Sequence, residues 1–327
     1  MTRIVHLVDD TSPGGVTRFL EYLRTSEAAA TFGQHDVIPV KVGLSRPSSF
    51  DADVIVSHVV LSWKNLPFIF ALRAKHPGTP LIHIEHSYSP AFEQLHVTSK
   101  RRFRAMLTVS LSLFDRVVAI SEAQKSWLRS AAGVGDKKLA LIPSYVDLSE
   151  FLAIAPVTGD IRSIGAFGRL DPQKGFDILI PAFQKASLEG VTLEIFGDGP
   201  ERSHLEALAG GDPNIIFHGF SDDPASAMAS VDALAMPSRR EPYGLVAIEA
   251  MAAGRALLVS RVDGLIDHAR SGAISVERLT VEDWSRALAA LPRLTDTNKR
   301  RQARHNAARA EGQFIRGWSA LLDSVSA

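Results

Sequence analysis

Two basic and two acidic side chains stand in the second half of the chain in a pattern that suits phosphate and sugar chemistry. Arg169 and Lys174 lie in "GRLDPQKGF", and Glu241 and Glu249 lie in "EPYGLVAIEAMAAG". An arginine binds a phosphate through two parallel hydrogen bonds, whereas a lysine acts as a point charge, so this pair suits a diphosphate. A loop that carries two solvated cations is the alternative interpretation.

A helix accounts for the spacing of the two glutamates. The apolar run predicts a helix that begins near Gly244 and ends at Gly254, where a glycine cap is typical. The free amides at its N-terminus would bind phosphates. Glu249 would then accept hydrogen bonds from ribose hydroxyls, and Glu241, ahead of the helix, would reach the reacting sugar. A surface glutamate on the side of the helix is the alternative for Glu249.

Glycines mark two further turns that follow apolar runs. Gly14 and Gly15 precede a helical pattern and would let the backbone approach a ligand closely, although a tight turn without a ligand explains them equally well. Gly197 and Gly199 form a G-x-G segment. Arg202 stands where the dinucleotide-binding motif has its third glycine, so we predict no NAD site.

Three histidines, His58, His83 and His86, lie at the ends of apolar runs in the first half. His83 and His86 would point to opposite faces of a strand and are therefore poorly placed to chelate one metal ion. We predict no metal site, and we expect one of these histidines to donate a hydrogen bond in the functional site. A histidine that is merely satisfied at the end of a strand is the alternative.

Basic residues at Lys100–Arg104 precede an apolar stretch in "SKRRFRAMLTVSLSLF". Such a segment lies on an anionic membrane surface in some proteins. A core helix with a solvated, charged end is the alternative interpretation.

Composition and length narrow the class of protein. The chain has 327 residues, 46% hydrophobic and 22% charged, which is typical of a soluble protein with two domains. Its net charge is zero, so we expect no nucleic-acid partner. Cysteine is absent, which excludes disulfides and thiolate zinc sites. No apolar run approaches the ~20 residues of a membrane span. We expect a cytoplasmic location, with peripheral contact at the inner face of the plasma membrane left open.

Short apolar, β-branched runs alternate with helical patterns through both halves. This alternation predicts two doubly wound α/β domains with parallel sheets, facing a cleft, joined by a linker at Leu152–Ser163. We place the domains at residues 1–155 and 156–307. The predicted strands are Arg3–Val8, Val37–Gly43, Val54–Val59, Pro80–His86, Arg116–Ser121 and Leu139–Pro143, then 164–168, Val191–Gly197, Ile215–Gly219, Ala233–Ser238 and Ala256–Ser260.

In this order the motifs resemble those of the retaining glycosyltransferases of family 4, which have the GT-B fold of two Rossmann-like domains. "EPYGLVAIEAMAAG" matches the family signature E-P-(F/Y)-G-L-x-x-x-E-A-M-A-x-G, and "GRLDPQKGFDILIPAF" is similar to G-R-L-x-x-x-K-G-x-x-x-L-I-x-A-F. "IIFHGF" resembles a strand whose Gly–Phe lies close to the nucleotide base. The first half matches more loosely, through "GGVTRF", "DVIVSHV" and "IHIEHS".

The resemblance implies a transferase that moves a sugar from a UDP- or GDP-linked donor to a saccharide or lipid-linked acceptor, in surface polysaccharide or lipopolysaccharide synthesis. It implies no metal ion and no other cofactor. The first domain would bind the acceptor and the second the nucleotide sugar. The last helix, residues 308–327, would cross back onto the first domain.

The resemblance also implies roles for single residues. Arg169 and Lys174 would neutralise the diphosphate leaving group, while Glu241 and His86 would lie beside the donor sugar. The donor would be held in addition by Gly14, Gly15, Gly219, Phe220, Tyr243, Gly244, Leu245 and Glu249.

The chain departs from the family pattern at two places. Ser144 and Tyr145 replace the Asn-Gly of the motif I-P-N-G-V-D, and a tyrosine adopts a positive φ only at a cost, so we expect an altered turn. Asp267 stands where the family commonly has Glu. Two alternatives to the transferase remain: a catalytically silent partner that binds nucleotide sugar, and an epimerase of nucleotide sugars with the same fold.

Overall fold

The chain forms two compact units in the computed structural model, which describes residues 1–43, 47–291 and 297–326. Unit 1 comprises Met1–Val146 and the C-terminal segment from Glu311, and unit 2 comprises Asp147–Ala310. The sequence placed the division after residue 155, whereas these compact units change between Val146 and Asp147.

Unit 1 is built on six parallel strands in the sheet order β2-β1-β3-β4-β5-β6. The strands are β1 (Arg3–Val8), β2 (Gln34–Pro39), β3 (Val54–Ser57), β4 (Leu81–Glu85), β5 (Arg116–Ala119) and β6 (Leu139–Leu141). The helices that follow them are α1 (Gly15–Thr25), α2 (Glu27–Ala30), α3 (Leu66–Lys75), α4 (Pro90–His96), α5 (Lys100–Ser112) and α6 (Glu122–Ala132). Every residue of β3 and β4 is buried, as central strands of a parallel sheet require.

Unit 2 has a second sheet of six parallel strands, in the order β12-β11-β10-β7-β8-β9. The strands are β7 (Ser163–Phe167), β8 (Thr192–Phe196), β9 (Ile215–Gly219), β10 (Ala233–Met236), β11 (Ala256–Ser260) and β12 (Ile274–Val276). The helices are α7 (Ser149–Ala153), α8 (Phe176–Ala186), α9 (Arg202–Ala209), α10 (Pro224–Ala229), α11 (Leu245–Ala252), α12 (Leu265–Arg270), α13 (Val281–Ala290) and α14 (Thr297–Ala308), with a 3₁₀ turn at Pro172–Lys174.

The two parallel sheets with their flanking helices confirm the predicted fold class. Most strand ends lie within two residues of their predicted positions, and two strands differ by more. The edge strand β2 begins at Gln34 rather than Val37, and β12 was not predicted. Both lie at an edge of their sheet, where the apolar pattern that reveals a buried strand is weaker.

The last helix, α15 (Ala310–Ser326), packs its aromatic side chains on unit 1. Phe314 lies 5.8 Å from Phe19 of α1, and Trp318 stacks on Phe32 at 5.8 Å, measured between ring centroids. Ala327, the final residue of the predicted helix, lies outside the described residues. Within the described ranges, no helix is long and apolar enough to cross a membrane.

Tyr145 is a core residue rather than a strained turn. Among the described residues other than glycine, only Ser187 and Asp263 have a positive φ. The Tyr145 ring is buried and packs edge-on against Tyr22 at 4.8 Å. Tyr145 therefore makes an aromatic contact with α1 and needs no positive φ.

Candidate functional site

A lysine and a glutamate form an ion pair at the carboxyl edge of the unit 2 sheet. Lys174 ends the 3₁₀ turn that follows β7, and Glu241 lies in the loop between β10 and α11. Because β7 and β10 are neighbours, these loops meet where ligands bind in α/β sheets. Lys174 Nζ lies 2.7 Å from Glu241 Oε2, and the two side chains are 18% and 12% exposed. Two residues that the sequence predicted for the site are thus in direct contact.

Gly175 allows this contact because it has no side chain. Its φ is +71°, and a Cβ atom there would lie 2.1 Å from the carbonyl oxygen of Pro237. The turn that carries Lys174 therefore rests directly on the end of β10.

Arg239 ties the same two loops together. Its guanidinium donates two hydrogen bonds of 2.7 Å to the carboxylate of Asp177 and a third, also 2.7 Å, to the carbonyl of Pro172. The Gln173 side chain donates to the carbonyl of Arg240 at 3.1 Å. The Arg239 guanidinium holds the pKa of Asp177 below its usual value, so the carboxylate stays ionised. The loops therefore form one braced structure around Lys174 and Glu241.

Arg169 is exposed and immediately follows Gly168, over which the Lys174 side chain runs. The φ of Gly168 is +144°, and a Cβ atom there would lie 3.0 Å from Lys174 Cε. The stem of Lys174 is thus held beside the backbone that carries Arg169. The two predicted phosphate-binding cations share one corner of unit 2.

Asp263 holds the backbone of Glu241 in place, and it was not identified as a site residue from the sequence. Its carboxylate accepts a hydrogen bond of 3.1 Å from the backbone N–H of Glu241, and Gly264 N–H donates to the Glu241 carbonyl at 3.0 Å. A Cβ atom at Gly264 would lie 2.4 Å from the carbonyl oxygen of Pro242. The Asp-Gly pair is a turn signal that could have drawn attention to this loop.

The helix α11 begins, as predicted, at the Gly244 turn and carries Glu249 in its interior. Gly244 has a φ of +95°, and a Cβ atom there would lie 2.9 Å from a methyl group of Leu265. Glu249 is only 2% exposed, which excludes the surface glutamate considered for it. Leu245, the first helical residue, is half-buried.

Tyr243 contributes its backbone rather than its ring to this corner. The ring is buried, and burial raises the pKa of its hydroxyl. His268 Nε2 lies 3.0 Å from the Tyr243 carbonyl oxygen. Burial lowers the pKa of His268 to about 4, so this imidazole is neutral at pH 7 and donates to the carbonyl.

Gly219 and Phe220 lie at the end of β9, at the edge of the sheet. Gly197 N–H donates to the Gly219 carbonyl at 2.7 Å, and a Cβ atom at Gly197 would lie 1.9 Å from the Gly168 carbonyl oxygen. Gly197, the first glycine of the G-x-G segment, therefore lets the loop after β8 pack directly on the loop after β7. The Phe220 side chain is 70% exposed and available for stacking.

In unit 1 the predicted residues lie at the carboxyl ends of β1 and β4. Gly14 and Gly15 are exposed where the loop after β1 enters α1, and the extended φ of Gly14, 176°, demands no glycine. His86 follows β4 and is half-buried, with Nε2 2.9 Å from His58 Nδ1. His83 is buried on the opposite face, with its ring 5.1 Å from that of Phe114.

The basic segment at the start of α5 is partly committed to an internal contact. Arg104 binds Glu93 through hydrogen bonds of 2.6 and 3.1 Å, and Glu93 also accepts a hydrogen bond of 2.8 Å from the Trp127 indole. The side chains of Lys100, Arg101 and Arg102 are exposed. Contact of this segment with a membrane stays a prediction.

Across the part of the chain that the structure describes, no group of three or more His, Cys, Asp or Glu side chains is arranged to hold a metal ion. A metal-free reaction stays a prediction.

Two family sequence profiles match the chain. Residues 161–293 match the profile described as glycosyl transferases group 1, and residues 44–150 match the profile described as glycosyltransferase family 4. The first covers the braced loops of unit 2, and the second covers the part of unit 1 that carries His58 and His86.

Three relatives illustrate the range of similar proteins. An uncharacterised glycosyltransferase of Methanocaldococcus jannaschii is 32% identical over 55% of this chain and 48% of its own length. The lipopolysaccharide core biosynthesis glycosyltransferase LpsE of Rhizobium meliloti is 38% identical over 32% of this chain and 31% of its own. The D-inositol 3-phosphate glycosyltransferase of Mycobacteroides abscessus is 26% identical over 76% and 60%. The chain spans less than two thirds of the length of each of these relatives.

Solved structures resemble the chain along nearly its whole length. HepE of Anabaena, in complex with UDP and glucose, superposes with a TM-score of 0.75 at 17% identity, covering 99% of this chain and 100% of that one. Sucrose-phosphate synthase of Thermosynechococcus elongatus gives a TM-score of 0.74 at 20% identity, covering 100% and 98%. At these identities the likeness shows the fold.

Proposed function

The chain belongs to the family 4 glycosyltransferases of group 1, which have the GT-B fold, and on that premise we propose that it is a retaining transferase. It moves a sugar from a UDP- or GDP-linked donor to a saccharide or glycolipid acceptor. The relative LpsE acts in lipopolysaccharide core biosynthesis, which supports a role in the synthesis of surface polysaccharide or lipopolysaccharide. HepE, similar in fold, binds UDP and glucose, which supports a nucleotide-sugar donor.

One observation carries the proposal: the ion pair of Lys174 and Glu241, held by braced loops beside Arg169 and the N-terminus of α11. A diphosphate needs fixed positive charge and N–H donors, and this corner supplies both. Lys174 and Arg169 bind the diphosphate of the donor. Glu241 keeps the ammonium group of Lys174 in place before the donor arrives.

The remaining predicted residues take the other parts of the donor. Glu249 of α11 holds the ribose hydroxyls, and the exposed Phe220 stacks on the base. Glu241 also lies beside the transferred sugar. In unit 1, His86 contacts a sugar hydroxyl and the Gly14–Gly15 loop approaches the diphosphate. Unit 1 also binds the acceptor.

The chemistry follows from where charge develops. The bond between the anomeric carbon and the diphosphate oxygen breaks while the acceptor oxygen forms a bond to the same face of the sugar. Negative charge grows on the diphosphate, and a phosphate oxygen takes the proton of the acceptor hydroxyl. Lys174 and Arg169 stabilise this charge more in the transition state than in the ground state, without reorganising. We expect no metal ion to be needed, because these cations neutralise the leaving group.

Product stereochemistry tests the proposal. The purified full-length chain is incubated in excess EDTA with UDP- and GDP-linked sugars and methanol as surrogate acceptor, and the methyl glycoside is identified by NMR. We expect a glycoside with the anomeric configuration of the donor. An inverted product would contradict the retaining mechanism, and activity that is abolished by EDTA and restored by Mg²⁺ would contradict the metal-free one. Tight nucleotide binding without transfer to any acceptor tried would favour the silent partner.

A further inference from the structure

Four histidines of unit 1 form one continuous hydrogen-bonded chain, which we call the histidine chain. Its order is His35, His6, His58 and His86. Three contacts of 2.9 Å join them: His35 Nδ1 to His6 Nε2, His6 Nδ1 to His58 Nε2, and His58 Nδ1 to His86 Nε2. Successive ring centroids lie 5.1 to 5.2 Å apart. His6 and His35 were not singled out in the sequence.

The register of the sheet places the members of the histidine chain next to one another. His35 of β2 pairs with Ile4 of β1, and His6 lies two residues further along β1. His6 pairs with Val56 of β3, and His58 again lies two residues further along. Because side chains alternate between faces, a step of two residues keeps all the rings on one face.

The last step follows the same rule. Ser57 pairs with His83, so His58 lies beside Ile84, and His86 lies two residues beyond it. The histidine chain therefore crosses the neighbouring strands β2, β1, β3 and β4 diagonally. It runs from the edge of the sheet to the carboxyl end of β4, where ligands bind in this class of fold.

The histidine chain is sealed along most of its length. His6, His35 and His58 are buried, and only His86 is partly exposed. Aromatic side chains cover it: Phe19 contacts His58 and His86, Phe32 contacts His35, and Trp318 contacts His6. Burial lowers the pKa of His35 and of His86 to about 4, and it lowers the pKa values of His6 and His58 as well. All the rings are therefore neutral at pH 7.

Neutral rings in such a chain have coupled tautomers. A neutral imidazole has one N–H group and one lone pair, so it donates on one side and accepts on the other. Every ring must then donate in the same direction. Either all four carry the proton on Nε2 and the chain ends in an acceptor at His86 Nδ1, or all four carry it on Nδ1 and the chain ends in a donor there.

We propose that the histidine chain sets the tautomer of His86, with His58, His6 and His35 as positioning residues. They decide whether His86 Nδ1 donates a hydrogen bond to a ligand hydroxyl or accepts one, although none but His86 reaches the ligand. The identity of the ligand as a donor sugar rests on the proposed function. The coupling of the tautomers does not.

Ring NMR of the ligand-free, full-length protein tests the coupling directly. Histidine rings labelled with ¹⁵N report their tautomers through long-range proton–nitrogen correlations at pH 7.5. We expect the same tautomer at all four positions. Opposite tautomers at any two of them would overturn the proposal.

Two variants test whether the coupling reaches His86. His35→Phe keeps a ring of similar size but removes the first member of the histidine chain. His6→Phe breaks the histidine chain two hydrogen bonds away from His86. We expect either change to convert the His86 ring from one tautomer to a mixture. The matched control is His76→Phe, because His76 is a buried histidine of unit 1 that does not belong to the histidine chain. This change should leave the His86 spectrum unchanged. An unchanged His86 spectrum in folded His35→Phe and His6→Phe proteins would refute the proposal.

Kinetics separate this inference from the proposed function. With His86 divided about equally between its two tautomers, we expect the KM for a nucleotide sugar to rise about twofold, because only the molecules with the competent tautomer make the hydrogen bond, with unchanged affinity for the free nucleotide. A KM that stays at the wild-type value would contradict the role of the histidine chain in sugar binding. If no nucleotide sugar is turned over by the wild type, the proposed function fails, and the ring spectra still decide on the tautomers.

Discussion

The two units hold their candidate site residues by opposite means. Unit 2 uses charge: Lys174 pairs with Glu241, and Arg239, in the same loop as Glu241, pairs with Asp177 of α8. Unit 1 uses neutral rings joined by hydrogen bonds and sealed from water. The charged loops of unit 2 suit a diphosphate, whose negative charge would grow during the proposed reaction. The uncharged histidine chain of unit 1 suits an uncharged hydroxyl. Under the proposed function, we therefore expect unit 2 to provide the electrostatic stabilisation and unit 1 to orient the sugar.

The largest effect should follow from removing the charge of unit 2. Lys174→Ala should lower kcat about 100- to 1,000-fold, because it deletes one fixed donor to the leaving group. Lys185→Ala is the matched control, since Lys185 also pairs with a glutamate, Glu282, at 2.9 Å on the surface of the same unit. We expect Lys185→Ala to be indistinguishable from the wild type in donor turnover assays. Equal activity of the two variants would remove the basis for placing catalysis at the ion pair.

A second test loosens the loops without touching any charge. Gly175→Ala should destabilise unit 2 by about 3 kcal/mol, because the added Cβ would meet the Pro237 carbonyl at 2.1 Å and the φ is positive. At Gly190 the φ is also positive, +67°, but nothing lies within 4 Å of an added Cβ. Gly190→Ala should therefore cost only about 1 kcal/mol. Urea denaturation followed by tryptophan fluorescence measures both, and similar midpoints would show that the close packing is unimportant.

A third test uses pH to act on the histidine chain. Unfolded histidines bind protons below about pH 6.5, whereas folded His35 and His86 do so only near pH 4, so folding stability falls as the pH drops through this window. From pH 7 to 5 we expect a loss of about 2 kcal/mol per shifted histidine. Asp36 beside His35 and Glu85 beside His86 oppose these shifts, and His83 adds to the shift at His86.

The variant His35→Phe isolates that effect. Its free energy of unfolding should fall less steeply with pH than that of the wild type, by about 2 kcal/mol between pH 7 and 5. The surface variant Lys185→Ala should keep the wild-type slope. A His35→Phe protein with the wild-type slope would show that His35 is not held neutral.

The smallest effect concerns the exposed cations of unit 1. If α5 meets an anionic membrane, Arg102→Ala should weaken binding to vesicles of phosphatidylglycerol and phosphatidylcholine by about 1 kcal/mol, roughly fivefold. Arg309→Ala, which removes one cation elsewhere on the chain, controls for the change in net charge. Sedimentation with the vesicles measures the binding. No difference between the variants would place α5 away from the membrane.

The unit 2 site could be predicted largely from contiguous residues. Loop glycines, a helix start and the cations that follow β7 are local signals, and the structure has Gly244 at the start of α11 as predicted. The partnership of Lys174 with Glu241 could not be predicted, because the residues are 67 positions apart and meet only through the pairing of β7 with β10. The contact of Asp263 with the backbone of Glu241, 22 positions away, could not be predicted for the same reason.

The unit 1 site was less predictable because it depends on register. His6 and His35 carry no local signal, and the predicted start of β2 at Val37 left His35 outside the strand. The histidine chain exists only once four strands are placed in order with a fixed stagger. Such non-local pairing cannot be derived from the periodicity of one segment.

Nucleotide binding without metal is the measurement that tests the central claim most directly. Thermal unfolding of the wild type, Lys174→Ala and Lys185→Ala proteins is followed in excess EDTA with UDP, GDP and ADP. A ligand at about 100 times its Kd adds about 2.7 kcal/mol, so we expect one nucleotide to raise the Tm of the wild type and of Lys185→Ala by a few degrees. The rise should be lost in Lys174→Ala. A folded wild type that responds to none of the nucleotides, or a Lys174→Ala protein that responds fully, would contradict the account.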